Sequence, residues 1–480
     1  MSKEGQLKAI KSIKSGPLAR GISLARAGLI AGANLGSYSL SSLLATGERR
    51  QELRQQMLTE QARLLAWEFG RLKGSVMKVG QMLALYGEQF LLPPEVVAVL
   101  RTLQDSSPPL EWGALKPVLE QELDSQRLAE LEVDPSPLAA ASLGQVHRAR
   151  RHRDGRELCI KIQYPGVAES IDSDLNTLGT LLLFSQVLPA GFNLNEMLTE
   201  VRQMLAREID YRQELQTTER FRQLLQGDNR FQVPETFADY STQRILTTSY
   251  EPGLTVDGPQ ARALSQARRN RLGAAALELF LREFFDWNLV QTDPHFGNYR
   301  LRPDPAGEQD QLVLLDFGAV RRFSDTFRFA YYELVRAAFW KDKERLWKAA
   351  MELNFMPANA PQLALERFAE MCFLVMEPFT EGESGTPFFN AAGEYRWGAS
   401  DLTQRVALAA SKASLSFSFR VPPKEFIFLH RKLGGVFVFL VELGTELKAR
   451  PLLLPYMGRP STTVATSQIM LTATTQHCCS

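Results

Sequence analysis

The sequence is organised around residues 291–318, which read QTDPHFGNYRLRPDPAGEQDQLVLLDFG. Asp293 and Asn298 lie five residues apart, and an apolar run at 312–315 leads directly into Asp316, the first residue of a DFG tripeptide. The run has the length of a short buried strand and is bounded by turn-forming residues. Phosphoryl transfer from a magnesium nucleotide needs an aspartate that orients or deprotonates the attacking hydroxyl, and an asparagine and a second aspartate that hold hard cations. The stretch therefore predicts Asp293 as a catalytic residue, and Asn298 and Asp316 as magnesium ligands.

Each part of this pattern has a plainer alternative. Residues 293–298 could form only a structural turn, in which the aspartate caps the backbone and the asparagine tolerates a left-handed conformation. A DFG tripeptide also arises by chance. The order of the three polar residues and the strand that joins them favour the site.

Composition indicates an ordinary globular chain. Of the 480 residues, 45% are hydrophobic and 23% are charged, as in ordinary globular proteins. The chain is long enough for two or three packed units. The net charge of +1 gives no overall field that would attract nucleic acid. The four cysteines (Cys159, Cys372, Cys478 and Cys479) show no metal-type spacing, and a reducing compartment fits them best.

Residues 1–50 form a basic arm, with eight Lys or Arg residues against two acids. Within it, Gly28, Gly32 and Gly36 repeat every four residues, the G-x-x-x-G pattern of close helix contacts in membranes. The surrounding serines make the span too polar to predict a transmembrane helix. A membrane-surface helix and a loose basic arm are equally good interpretations, and an organelle transit peptide is a lesser alternative.

Residues 51–135 are predicted to be a helical extension, in which Lys78 and Gln81 share one helix face. At 136–253 we expect a small lobe with a β-hairpin turning at Asp154-Gly155, which places Lys161 in the second strand. In a kinase-type small lobe this is the lysine that grips the nucleotide phosphates.

A long helical pattern at 193–225 contains two acidic candidates. Glu208 is the predicted partner of Lys161. Glu214 lies further along the helix and off that face, so different neighbours are expected for it.

Residues 254–450 are predicted to be a helical large lobe, and 451–480 a polar tail. Apolar helices are expected at 272–285, 327–350, 364–376 and 426–447, with a long loop at 377–400. The last of these helices contains HRKLGG at 430–435, and we interpret His430 as a hydrogen-bonded core or end-of-helix histidine rather than a ligand.

Together these segments resemble the UbiB/AarF family of atypical kinase-like proteins over roughly residues 70–440. The matching motifs are the K-x-G-Q of the extension, the Ala-rich loop that replaces a kinase Gly-rich loop, the phosphate lysine, the E-x-D-Y-x-x-E helix motif, the catalytic loop and the metal loop. In this chain they are Lys78 and Gln81; Ala139, Ala140, Ala141 and Ser142; Lys161; Glu208, Asp210, Tyr211 and Glu214; Asp293 and Asn298; and Asp316.

The resemblance implies an α+β, two-lobed protein-kinase-like fold with a helical N-terminal extension. It implies ATP and Mg²⁺ as cofactors, with Asp293, Lys161 and Glu208 catalytic, and with Lys161 and the Ala-rich loop (Ala139, Ala140, Ala141 and Ser142) contacting the nucleotide. In this family the extension packs over the site and its K-x-G-Q occupies the place of a protein substrate, so Lys78 and Gln81, with Glu214, are expected to be regulatory.

The implied activity is a magnesium-dependent ATPase or phosphotransferase that supports ubiquinone or related isoprenoid-lipid metabolism. Its acceptor would be water or a small lipid-like molecule. A nucleotide-gated scaffold is the alternative, and an ordinary protein kinase is disfavoured because no Ala-Pro-Glu segment follows the DFG. Expected partners are quinone precursors, quinone-biosynthesis enzymes, an anionic membrane surface and a second copy of the chain. The expected location is cytoplasmic and peripheral to the inner membrane, with organelle targeting as an alternative.

Overall fold

The computed structural model describes residues 56, 57, 60, 109–141, 143–185, 193–381, 387–414 and 423–458. The basic arm, Lys78, Gln81, Ser142 and the end of the polar tail lie outside these residues.

The small lobe is built on one four-stranded antiparallel sheet. Its strands lie in the order β1-β2-β3-β5. The bounds are β1 (Leu131–Ala140), β2 (Gly144–Arg151), β3 (Glu157–Gln163) and β5 (Ile245–Ser249). The predicted hairpin is present as β2 and β3, and Gly155 turns it with a φ of +67°, which favours glycine. The sheet starts at Leu131, before the boundary at 136 that the sequence suggested.

Among the residues that the structure describes, five helices belong to this lobe or flank it. They are α1 (Trp112–Glu122), α2 (Ser125–Ala129), α3 (Val167–Ser185), α4 (Leu194–Glu208) and α5 (Tyr211–Leu224). The single helix expected at 193–225 is therefore wrong, because it breaks at Ile209 and Asp210. The Asp210 carboxylate accepts a hydrogen bond from the Arg212 N–H and caps the start of α5.

The large lobe is mainly helical. Its helices are α6 (Pro259–Arg262), α7 (Gln266–Leu281), α8 (Asp325–Phe339), α9 (Lys343–Glu352), α10 (Gln362–Val375), α11 (Leu402–Ser414), α12 (Lys424–Glu442) and α13 (Arg450–Met457). The region expected to be one helix at 327–350 is interrupted at Lys341, whose φ of +56° no α-helix accommodates.

Short strands hold the segments around the predicted site. They are β4 (Phe231–Gln232), β6 (Val290–Gln291), β7 (Tyr299–Arg302), β8 (Gln311–Leu314) and β9 (Val320–Arg321). Strands β4, β8 and β7 form one sheet, and β6 pairs with β9. Strand β8 is the predicted buried strand before Asp316, and its last three residues are buried.

The region expected to be a long loop at 377–400 contains ordered structure as well. A 3₁₀ turn at Glu377–Phe379 begins it, and β10 (Tyr395–Arg396) pairs with β11 (Glu446–Leu447) after α12 has ended.

Helix α12 contacts the cores of both lobes. Its first turn contributes Ile427 and Phe428 to the core that contains the small-lobe sheet, whereas Leu429, Val436 and Leu440 lie in the large-lobe core. This helix therefore connects the two lobes beside the catalytic loop.

Within the described part of the chain, no helix combines the length and the apolar character needed to cross a bilayer.

Candidate active site

The catalytic loop is held by the strand pair β6–β9. The Thr292 N–H and hydroxyl both donate to the Ala319 carbonyl oxygen, each at 2.8 Å. The Asn298 side-chain nitrogen donates to the main-chain oxygen of Asp293 at 3.0 Å and so closes the loop. These contacts join the catalytic loop to the segment that follows the DFG.

Asp293 has a cationic neighbour that the sequence did not reveal. The Arg431 guanidinium of α12 donates to Asp293 Oδ1 at 2.8 Å, and the Asn298 amide lies 3.4 Å from Asp293 Oδ2. One oxygen of the predicted catalytic carboxylate is therefore occupied by a charge-assisted hydrogen bond.

The backbone places the two predicted metal ligands beside the ends of neighbouring strands, Asn298 directly before β7 and Asp316 shortly after β8. Tyr299 pairs with Leu314, and the Leu315 N–H donates to the Asn298 carbonyl at 2.9 Å, so Asp316 follows directly beside Asn298. The side-chain nitrogen of Asn298 is used within the loop, which leaves the amide oxygen to face a ligand. A carboxylate and an amide oxygen fit a hard cation such as Mg²⁺.

Asp316 is also tied to the small lobe. The Gly318 N–H donates to its Oδ1 at 2.9 Å, and Lys161 Nζ lies 3.4 Å from its Oδ2. Phe317 is buried and packs on Phe221 of α5, with ring centroids 4.5 Å apart. The DFG segment therefore contacts both lobes at once.

Lys161 lies at the centre of this arrangement. Its ammonium group donates to both carboxylate oxygens of Glu214 at 2.8 Å. Burial opposes the charge of Lys161, but Asp316 and Glu214 outweigh it and hold its pKa well above the ordinary value. Burial raises the pKa of the Glu214 carboxyl to about 7, against the attraction of Lys161. The ammonium group is therefore a fixed cation pointed at the metal-loop carboxylate.

The prediction that Glu208 is the partner of Lys161 is wrong. Glu208 ends α4, and the break at Ile209–Asp210 starts a new helix whose first turn carries Glu214. In one continuous helix, Glu214 would lie on a different face from Glu208. Because α5 starts anew after the break, Glu214 faces Lys161 instead, and its side chain is only 5% exposed.

The Ala-rich segment is the end of a strand rather than a free loop. Ala139 and Ala140 pair with Val146 and Gln145, and the Ala141 N–H donates to the Gly144 carbonyl at 2.8 Å. None of the three alanines has a positive φ. The segment is therefore a tight hairpin, as expected for residues that avoid the left-handed conformation.

Gly144, at the end of this hairpin, packs on the tyrosine of the E-x-D-Y motif. A Cβ at position 144 would lie 2.4 Å from the Tyr211 hydroxyl and 2.7 Å from the Ile162 carbonyl oxygen. Tyr211 is 1% exposed, and its ring lies 5.1 Å from Lys161 Nζ. The Ala-rich hairpin therefore rests on the same side chain that flanks the lysine.

Helix α12 packs against the catalytic loop. A Cβ at Gly435 would lie 2.0 Å from Pro294 Cβ, so only glycine admits the proline at this distance. The sequence did offer a signal for this contact: two adjacent glycines weaken an apolar helix, and such glycines mark a close approach. The same motif supplies Arg431. His430 lies in the core, as predicted: it is half-buried within α12, and its Nε2 is 3.0 Å from the Tyr331 hydroxyl.

Comparison with known proteins identifies the family of the chain. Residues 102–350 match the family model described as the ABC1 atypical kinase-like domain. The chain is 33% identical to the mitochondrial atypical kinase COQ8B of Rattus norvegicus, over 88% of this chain and 78% of that protein. It is also 33% identical to the mitochondrial atypical kinase COQ8 of Schizosaccharomyces pombe, over 81% of this chain but only 61% of that protein.

A solved structure shows the same fold. The erythromycin complex of Rv3197 from Mycobacterium tuberculosis superposes with a TM-score of 0.58 at 24% identity, covering 86% of this chain and 99% of that one. The mixed helix-and-sheet, kinase-like fold expected from the sequence is therefore confirmed. The motif resemblance is confirmed too: the chain belongs to the ABC1 family of atypical kinase-like proteins.

Proposed function

We propose that the protein is an atypical kinase-like enzyme that binds Mg-ATP and transfers its terminal phosphoryl group to water or to a small acceptor. The observation that carries this proposal is the placement of Lys161, which lies within 3.4 Å of both Glu214 and the metal-loop Asp316. A lysine fixed by one acid and pointed at another is what nucleotide phosphates require in kinase-like sites.

The proposed roles are shared by residues of both lobes. Lys161, held by Glu214, grips the phosphate oxygens, while Asn298 and Asp316 supply the oxygen ligands of the metal. Bound magnesium would neutralise the phosphate charge. Asp293 orients the attacking hydroxyl. The hydrogen bond from the Asn298 amide to the main-chain oxygen of Asp293 fixes the position of Asp293.

Restraint of protein phosphorylation also has support. Arg431 occupies Asp293 Oδ1, where a substrate hydroxyl would otherwise bind. Only residues 317–324 separate Asp316 from α8, which leaves no room for a long activation segment. Both features favour water or a small acceptor over a protein side chain. We also propose that Lys78 and Gln81 regulate access to the place where a protein substrate would bind.

The biological setting is proposed from the relatives. Several are named as mitochondrial COQ8 kinases, which supports a role in ubiquinone or related isoprenoid-lipid metabolism, with quinone precursors and their enzymes as partners. The basic arm supports reversible attachment to an anionic membrane surface.

A nucleotide-gated scaffold is the second candidate, and the Arg431–Asp293 ion pair is the observation that favours it. Steady-state ATP turnover separates the two. We expect turnover that requires Mg²⁺, increases with anionic membranes and is lost in Asp293→Asn protein. If Asp293→Asn turns over ATP as fast as the unaltered protein does, the enzymatic proposal fails.

A further inference from the structure

A buried ion pair lies directly behind the catalytic loop. Lys432 of α12 and Glu283, from the π-helical turn Arg282–Asp286, approach to 3.2 Å, and their side chains are 3% and 2% exposed. Glu283 belongs to no motif identified from the sequence, and Lys432 lies within the HRKLGG segment at 430–435, to which no role was assigned beyond His430. π-helical turns inside α-helices are frequent at functional sites.

The pair lies beside Gln291, the last residue of β6 before the catalytic loop, and Gln291 is itself buried. Lys432 Nζ lies 3.4 Å from Gln291 Oε1 and 3.2 Å from the Tyr299 hydroxyl. The Gln291 main-chain N–H lies near the Glu283 carboxylate and lowers the pKa of that group, against the effect of burial. Gln291 therefore faces Glu283 with its backbone and Lys432 with its side chain.

This arrangement decides which way the Gln291 amide points. An ammonium group has three donors and no acceptor, so the amide must turn its oxygen towards Lys432. Its nitrogen then faces the opposite way, and it donates to the main-chain oxygen of Asp293 at 2.7 Å. The same oxygen also accepts the Asn298 amide at 3.0 Å. Lys432 thus determines the hydrogen bond between the Gln291 amide and the Asp293 main-chain oxygen, although Lys432 takes no part in that bond.

Stability alone does not explain these charges. Burying two ions costs free energy, and apolar residues of similar volume often serve a fold equally well or better. The neighbours here are apolar, since Leu279, Leu312, Val436 and Phe439 line the same small cavity as Lys432. Aliphatic side chains would suit this wall, but they would leave the orientation of Gln291 undetermined.

We propose that Glu283 and Lys432 are positioning residues for the phosphoryl-transfer reaction: they orient the Gln291 amide, which fixes the backbone of Asp293. The proposal rests on the function proposed above and deepens it, because it assigns a role to a site outside the nucleotide contacts. Removing the pair should leave nucleotide binding intact, because Lys161 and Asp316 lie on other elements.

The test compares Glu283→Gln, Lys432→Met, the double variant and Gln291→Met in the full chain. Each single charge change should lower stability to urea, because it leaves the other charge buried and unpaired. The double variant should regain most of that stability. Its kcat should stay reduced by about 100-fold, the loss that a misplacement of about 1 Å causes, with its affinity for Mg-ATP unchanged.

Gln291→Met should show the same fall in kcat, and combining it with Lys432→Met should cause no further fall. A double change at Glu377 and Arg405, a less buried ion pair in the large lobe joined at 2.6 Å, is the control and should keep its kcat. If the Glu283–Lys432 double variant recovers kcat together with stability, the pair serves the fold alone and the proposal is overturned.

Hydrogen exchange keeps this test independent of the proposed activity. In nucleotide-free protein, amides of residues 291–298 should exchange faster in the Glu283–Lys432 double variant than in the control, while those of β3 stay unchanged. Equal exchange at 291–298 would overturn the positioning role. Absence of ATP turnover in the unaltered protein would count against the proposed function alone.

Discussion

Replacing Gly435 by alanine should damage the catalytic loop, whereas the same change one residue earlier should not. The added Cβ at 435 would lie 2.0 Å from Pro294 Cβ and 2.4 Å from its Cγ. At Gly434 an added Cβ meets no atom within 4 Å. The two glycines share one helix, so each serves as the control of the other.

The magnitude follows from two opposing effects. Alanine should gain about 1 kcal/mol of helix stability at either position. Carbon atoms prefer separations of about 3.5–4.0 Å, so Gly435→Ala must displace Pro294 by roughly 1.5 Å. Overpacking of this kind costs about 1–3 kcal/mol. Gly434→Ala should therefore be more stable than the unaltered protein, and Gly435→Ala should be less stable than Gly434→Ala by that cost.

The displacement also reaches Asp293, the next residue along the chain. We expect kcat for ATP turnover to fall by about 100-fold in Gly435→Ala and to stay unchanged in Gly434→Ala. Urea denaturation and steady-state kinetics measure the two effects. Equal stability and equal kcat in the two variants would refute the argument that α12 supports the catalytic loop.

Three further predictions concern other parts of the molecule. Glu214→Gln should cost about 2–5 kcal/mol in urea denaturation because it unpairs Lys161, and Glu208→Gln should cost less; the reverse order would contradict the pairing. Burial lowers the pKa of His430 to about 3, so the unfolded chain binds its proton first as pH falls below the ordinary value of 6.5. Proton binding at His430 in the unfolded chain should therefore lower the free energy of unfolding by about 2 kcal/mol between about pH 7 and about pH 5. His430→Gln should reduce that loss, and an unchanged acid sensitivity of the variant would contradict this prediction. Ala140→Gly should change ATP or ADP affinity or release autophosphorylation, measured by calorimetry and radiolabel incorporation; if neither changes, the alanines act only in packing.

Local sequence patterns were enough to predict the elements that carry the site. An apolar run before DFG, an Asp-Gly turn between β-rich segments and a lysine in the second strand each depend on neighbouring residues, and the structure contains all three. The family motifs added the two-lobed fold.

The partners of these residues could not be predicted in the same way. The pairing of Lys161 with Glu214 depends on a two-residue break between α4 and α5, which helical periodicity does not register. Arg431 and Lys432 reach the catalytic loop from far along the chain, and that contact is set by the packing of α12. Only the glycine pair in that helix indicated a close approach, without indicating to what.

Calorimetric binding of Mg-ATP shows whether the chain around Asp316, just after β8, forms a magnesium-nucleotide site. The unaltered protein should bind ATP more tightly with Mg²⁺ than with a chelator present. Asp316→Asn should lose at least about tenfold in the Mg²⁺-dependent affinity, because a metal ligand is removed. Mg²⁺-dependent binding that is equally tight in Asp316→Asn protein would show that Asp316 is not a ligand of the metal.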